Sequence, residues 1–234
     1  MKIIVDAMGG DNAPESAVWG GALAAKEYGE QVLLVGDPDK VAALLKDKGM
    51  ENTPGVTIMP ASDLVDMHDD PATVLRRKPD SSMAVAFKLL KSGEGDALVS
   101  AGNTGALLTG ATLYGGRIKG IRRGALAPVM PCKSGQVMLC DAGANTECTA
   151  EMLLQFAFLG SLYAEKINGI KTPASAWSTT APRTPRVTRC VRKLTRCLKR
   201  RATRAGSTLS ATSRAAWYRS ARATSRCAMG TRAT

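Results

Sequence analysis

The chain has 234 residues, enough for one or two domains, with 32 Lys and Arg against 20 Asp and Glu and a net charge of +12. That average hides a division: residues 1–171 hold 17 basic residues and all 20 acids, a net of −3, whereas residues 172–234 hold the other 15 basic residues and no acid. A uniformly basic domain is thereby excluded, and no apolar run is long enough to span a bilayer or reads as a signal peptide, so the first part is expected to be cytosolic.

In chain order, Lys2-Ile-Ile-Val5 reads as a buried first strand that runs into Asp6-Ala-Met-Gly-Gly-Asp-Asn-Ala-Pro14. Gly9 and Gly10 permit a sharp loop, and Pro14 suits the first turn of a helix lasting to about Tyr28. That helix carries Ala17, Gly20, Gly21 and Ala24, small enough to let it lie close on a sheet. Gln31-Val-Leu-Leu-Val35 is a second strand. Asp37 caps a helix with Pro38 at its start, stopping at Gly49. Val56-Thr-Ile-Met59 is a third strand. Strands alternating with helices imply a layered α/β domain with a parallel-rich sheet and flanking helices, in which ligands gather beyond the carboxyl ends of the strands.

Next comes a polar connector, Asp66-Met-His-Asp-Asp-Pro71, followed by Arg76-Arg-Lys-Pro-Asp-Ser-Ser-Met83. Ser81 or Ser82 can cap the helix that follows. Three consecutive cations there suit either an anionic substrate or a solvated basic turn. His68 is the only histidine in the chain and reads as a surface residue, which argues against a histidine-dependent covalent triad. Asp96-Ala-Leu-Val-Ser100 has the length of an interior strand, and residues 106–114 are small and apolar enough for a helix packed on a sheet. Between them, Gly102 and Gly105 allow tight turning while Asn103 and Thr104 offer an amide and a hydroxyl. A loop opening a helix directs backbone N–H groups at one spot, a place for phosphate or a developing oxyanion; two glycines at this spacing equally suit a plain turn.

Residues 125–130 and 136–140 read as two further strands joined at Lys133-Ser-Gly135, the second emptying into Asp141-Ala-Gly-Ala-Asn145. Residues 151–167 form an amphipathic helix. Cys132, Cys140 and Cys148 have neither metal spacing nor a disulfide framework, and no metal or cofactor is expected. No Walker or Gly-x-Gly-x-x-Gly motif occurs, which argues against ATP and NAD. Three small polar loops at strand ends, 6–12, 100–105 and 141–145, fit one shared anion site.

Asp6-Ala-Met-Gly-Gly-Asp11, Arg76-Arg-Lys78 with Ser81-Ser-Met83, Ser100-Ala-Gly-Asn-Thr-Gly-Ala106, Gly116-Arg-Ile-Lys-Gly120 and Asp141-Ala-Gly-Ala-Asn145 together resemble the bacterial phosphate acyltransferase of phospholipid synthesis. The resemblance covers residues 1–170; Asn12 stands where many members carry histidine. It implies a fold like that of phosphate acetyltransferases and isopropylmalate-type dehydrogenases, of which 1–170 would be the N-terminal part. It further implies transfer of a fatty acyl group from acyl carrier protein to inorganic phosphate. The product, acyl phosphate, would serve a glycerol-3-phosphate acyltransferase, and the enzyme would be a cytoplasmic homodimer loosely attached to the membrane. On this view Asn103, Thr104 and nearby N–H groups cradle the oxyanion, with Ser100 lining it. Asp6 or Asp11 orients phosphate, and Arg77 or Lys78 neutralises it. Gly9, Gly10, Ser81, Ser82, Gly102, Gly105, Asp141 and Asn145 complete the expected substrate contacts.

The tail is different. Arg, Ala, Thr and Ser make up 44 of residues 172–234, a span of 63, without apolar periodicity. A disordered nucleic-acid arm has this composition, and so does GC-rich coding DNA read in a wrong frame. Back-translation tests the second idea, taking the third base of each codon with the first two of the next. From Lys171 the shifted frame permits Gly-Thr-Glu-Asp-Thr-Lys-Gly, and from Ala223 it permits Asp-Gly-Tyr-Ala-Gly-Asn. Both patterns occur further along the resembled family, in that order. Residues 171–234 are therefore expected to be out of frame, without packed structure and without a specific nucleic-acid partner. Two alternatives remain: another phosphotransacetylase-type enzyme, and a nucleic-acid-binding protein that uses the tail.

Overall fold

The computed structural model describes residues 1–132, 135–145 and 148–170. The described residues divide after Lys119 into two units, 1–119 and, in the second, 120–132, 135–145 and 148–170. The expectations placed on residues 171–234, including a division of the chain at residues 170 and 171, lie outside the described residues.

The first unit alternates strand and helix as its sequence implies: β1 (Lys2–Asp6), α1 (Glu15–Tyr28), β2 (Gln31–Gly36), α2 (Pro38–Asp47) and β3 (Val56–Pro60). A short α3 (Val74–Arg77) and α4 (Ser82–Ser92) then lead to β4 (Ala97–Val99) and α5 (Thr104–Gly110). The four strands form one parallel sheet in the order β3-β2-β1-β4. The chain thus builds outward from β1 to β3, then returns to add β4 on the other side of β1. That reversal is the topological switch point, the place beyond the strand ends where ligands of such sheets gather.

Val32, Leu33, Leu34 and Val35 are all buried because helices cover both faces of the sheet. Val32 and Leu34 pack with Val18, Ala22, Ala25, Val41 and Leu45, while Leu33 and Val35 pack with Ile4, Ala61, Ala86 and Leu89. Gly21 lets α1 settle on β2, since a methyl there would lie 2.8 Å from Leu34 Cδ2. Asp37 caps α2, its carboxylate accepting from the N–H groups of Asp39 and Lys40, and the Lys40 N–H first, with the Lys40 side chain second, holds its pKa below the usual carboxylate range. Ser81 caps α4 through a bond from Ala84 N–H.

The helix expected over 106–114 instead begins at Thr104, and from Ala111 to Gly115 it is a π-helical turn. Phe87 lies against Gly110, where a Cβ would come within 2.0 Å of its Cε2, and stacks on Tyr114 at 5.6 Å. The wider turn brings the tyrosine onto that ring.

The second unit contains an antiparallel pair, β5 (Val129–Cys132) and β6 (Gly135–Met138), and α6 (Ala150–Lys166) capped by Thr149. The pair is displaced from the expected 125–130 and 136–140, for a physical reason. Leu126 N–H donates to the Asp141 carboxylate at 2.8 Å and its carbonyl accepts from Ala142 N–H, which draws the ends of both segments into loops. Among the described residues no helix is long and apolar enough to cross a membrane.

Candidate functional site

Asp6 is the last residue of β1, the strand at the centre of the switch, and is only 2% exposed. Its Oδ2 accepts a 2.7 Å bond from the Ser100 hydroxyl, and its Oδ1 accepts from Met8 N–H at 3.3 Å. Ser100 Oγ in turn accepts from Gly102 N–H at 3.1 Å. The two loops touch through glycine: a methyl at Gly9 would lie 3.0 Å from Gly102 N, and one at Gly10 would lie 3.0 Å from Ala101 Cβ. Loops 6–12 and 100–105 are therefore one structure. Asp11, Asn12 and Thr104 are exposed on it.

Asn103 is buried, 5% exposed, and its amide is fully occupied. Oδ1 accepts from Ala106 N–H at 3.0 Å and caps α5. Nδ2 donates to the carbonyls of Asp66, Met67 and Asp69 at 3.3 to 3.4 Å. The polar connector thus lies as a strap over the start of α5. Pro71 packs on Gly105, where a Cβ would meet its ring at 2.8 Å.

Lys78 ties the same strap. Its Nζ donates to Asp69 Oδ2 at 2.7 Å and to the Leu64 carbonyl at 3.1 Å. Asp69 Oδ2 also accepts from Asp66 N–H at 2.8 Å. The Lys78 bond first, and the Asp66 N–H second, hold the Asp69 carboxyl below the usual carboxylate range; the same pairing raises Lys78 above an ordinary lysine. Arg77 is exposed. Ser81 and Ser82 are fully buried at the start of α4, where Ser81 Oγ donates to the Lys78 carbonyl at 2.8 Å. Met83 reaches from there to Gly102, since a methyl on that glycine would lie 3.3 Å from Met83 Cε.

Sequence reasoning missed the strap. Its signal was available: an acidic run, Asp66 to Asp70, stands just before the basic run Arg76 to Lys78, and such runs can satisfy each other as readily as a ligand.

A separate cleft of about 380 Å³ opens at the carboxyl ends of β2 and β3, lined by Pro38, Pro60, Ala61, Ser62, Asp80 and Val85. Its one charged lining residue, Asp80, is paired with Lys88 at 3.7 Å.

In the second unit, Asp141 organises its own loop. Its carboxylate accepts from the N–H groups of Leu126, Ala144 and Asn145 and from Asn145 Nδ2. Asn145 Nδ2 also donates to the Gly124 carbonyl at 3.0 Å, while its Oδ1 is buried without a partner. Burial, and then the neighbouring Asp141 charge, push the Cys140 thiol up, so it is a poor nucleophile at neutral pH. Among the described residues, no group of three or more His, Cys, Asp or Glu side chains is placed to hold a metal.

A family model described as fatty acid synthesis protein matches residues 1–204. A phosphate acyltransferase of Heliobacterium modesticaldum is 47% identical over 176 residues, 75% of this chain and 52% of that protein. One of Pelotomaculum thermopropionicum is 48% identical over 174 residues, 74% of this chain and 50% of that protein. The chain thus spans about half the length of the curated relatives it matches. Among solved structures, the EutD phosphotransacetylase from Staphylococcus aureus superposes with a TM-score of 0.59 at 17% identity, covering 87% of this chain and 65% of that one. That likeness shows a shared fold.

Proposed function

The chain belongs to the fatty acid synthesis protein family, and from that membership we propose that it carries the phosphate-binding part of an acyltransferase. The reaction moves a fatty acyl group from an acyl carrier protein thioester to inorganic phosphate. A phosphate oxygen attacks the thioester carbonyl carbon, the carbonyl oxygen becomes an oxyanion, and the thiolate leaves with the carrier. Acyl phosphate is the product. The observation that carries this reading is the pair of glycine loops, 6–12 and 100–105, joined at the switch point of a parallel sheet. Ligands of such sheets sit there.

Phosphate is a competent nucleophile at neutral pH, so the protein's work is to hold it and to stabilise the oxyanion. Preorganised donors aimed at a developing oxyanion are worth about 3–4 kcal/mol each. The exposed Thr104 hydroxyl and the backbone N–H groups beside it suit this role, with the exposed Arg77, whose charge acts on Asp69 and Asp70, as the proposed cation. Asn103 and Lys78 serve a ligand directly only if they give up their bonds to the strap. Asp11, Gly9, Gly10, Gly105, Ser81 and Ser82 remain proposed contributors to the site or its support, and Asp141 and Asn145 remain proposed substrate contacts within the second unit.

The same reading proposes a homodimer, loose association with the membrane from the cytoplasm, and hand-over of acyl phosphate to a glycerol-3-phosphate acyltransferase. It also treats residues 171–234 as out of frame, so that the reading frame must be restored before activity is assayed. The test supplies frame-restored protein with phosphate and either long-chain acyl carrier protein thioester or acetyl-CoA, and traps acyl phosphate as hydroxamate. Product from the carrier thioester alone is expected. Product from acetyl-CoA alone would make the protein a phosphotransacetylase, and product from neither would overturn the assignment.

A further inference from the structure

Asp6 stands at the mouth of a site expected to receive an anion, and a carboxylate facing phosphate would repel it. The structure turns this carboxylate away. It is 2% exposed, and a methyl at Gly9 would lie 2.6 Å from its Oδ2, so the Gly9 backbone covers it. Its short bond goes to Ser100, in the neighbouring loop. A hydroxyl has one hydrogen and two lone pairs. The Ser100 hydrogen is committed to Asp6, which leaves its lone pairs facing the Gly102 N–H at 3.1 Å. A charged acceptor makes the first bond strong and polarises the second.

We propose that Asp6 is a positioning residue: acting through Ser100, it fixes the Gly102 peptide and so sets the 100–105 loop against the 6–12 loop. Asp6 makes no contact with the ligand. This assignment rests on the reading that the two loops hold phosphate, but its first readout does not. Without the relay the Gly102 N–H loses its acceptor, and the peptide is free to turn at a position where Gly9 and Met83 allow little space.

The test uses the full chain uniformly labelled with nitrogen-15, inorganic phosphate as the probe, and the variants Ser100→Ala, Ser100→Thr, Asp6→Asn and Asp6→Asn/Ser100→Ala. Amide exchange of Val32 and Leu34 serves as the control for folding. Ser100→Ala is expected to speed exchange of the Gly102 amide at least tenfold and to weaken phosphate binding by about tenfold, with the control amides unchanged. Ser100→Thr, which keeps the hydroxyl, restores both. Asp6→Asn adds no further loss of phosphate affinity once Ser100 is alanine. Unchanged Gly102 exchange in Ser100→Ala overturns the proposal. So does a double variant whose loss is the product of the single losses, because Asp6 would then act on the ligand directly. If Asp6→Asn fails to fold, the Ala and Thr variants at Ser100 still decide through Gly102 exchange. If Gly102 responds as expected and phosphate binds no variant and not the parent, the positioning role stands and the phosphate reading fails.

Discussion

Gly9 has no room for a side chain, because a methyl there would lie 2.6 Å from an Asp6 oxygen already bonded to Ser100. Relief requires moving a buried carboxylate off its donor or opening the contact with Gly102. Gly9→Ala should therefore destabilise the chain by about 1–3 kcal/mol, the usual cost of overpacking, and thermal unfolding would show it as a lower midpoint. Asn103 calls for a different pair of substitutions. Asn103→Asp keeps an oxygen to cap α5 but sets a second oxygen against three carbonyls, so the strap should become accessible to protease while the helix persists. Asn103→Ala should release the strap and also cost about 1 kcal/mol for the lost cap. Equal protease resistance of parent and Asn103→Asp would show that the amide does not hold the strap. The cap has a local signal, because an asparagine before a helix acts on an N–H three residues away, although Asn103 was expected in the oxyanion cradle. The strap bonds were not, because their acceptors lie 34 to 37 residues earlier in the chain.

Elements behave in the same way, legible where their causes are local. Asp37 with Pro38, and Ser81 before Ser82, mark helix starts within one turn, and the structure places α2 and α4 there. The alternation of strands and helices gives a parallel sheet, but the return of β4 to the far side of β1 depends on packing between distant segments. The strap is the element whose behaviour follows most directly from charge. Asp69 is held below its ordinary pKa by Lys78, so its contribution is present above the usual carboxylate range and is lost as pH falls through the lowered value. Lys78 is raised by Asp69, so its contribution is present below the usual lysine pKa and is lost as pH rises through the raised value. The strap should be tied between those limits and open on the acid side first reached below the ordinary carboxylate range. Amide exchange of residues 66–69, corrected for intrinsic rates, should rise there in the parent. Asp69→Asn should show that faster exchange already at neutral pH. An Asp69→Asn variant as protected as the parent at pH 7 would show that the Asp69 charge does not hold the strap.

Across the whole chain, two kinds of sequence meet near residue 171. The first 171 residues are near charge balance and contain every acid; the last 63 are basic throughout. Similarity to the relatives runs over 176 residues at 47% identity in one case and 174 at 48% in another, each about three quarters of this chain. The shifted frame recovers Gly-Thr-Glu-Asp-Thr-Lys-Gly and then Asp-Gly-Tyr-Ala-Gly-Asn, two glycine-bearing polar patterns like the loops at Asp6 and Ser100. If such loops complete the site, the chain as written lacks part of its machinery and should form no acyl phosphate, whereas the frame-restored protein should. The basic tail should meanwhile bind DNA without sequence preference. An arm that neutralises six to ten phosphates loses roughly 10³–10⁵ in affinity between 50 and 200 mM salt, so that binding should fade steeply with salt and vanish when residues 172–234 are deleted. Sequencing the DNA around the codons for Ile170 and Lys171 decides the frame itself. A chain 1–234 that converts acyl carrier protein thioester and phosphate as fast as the frame-restored protein would show that the tail is genuine, and that the loops at Asp6 and Ser100 work without the two recovered patterns.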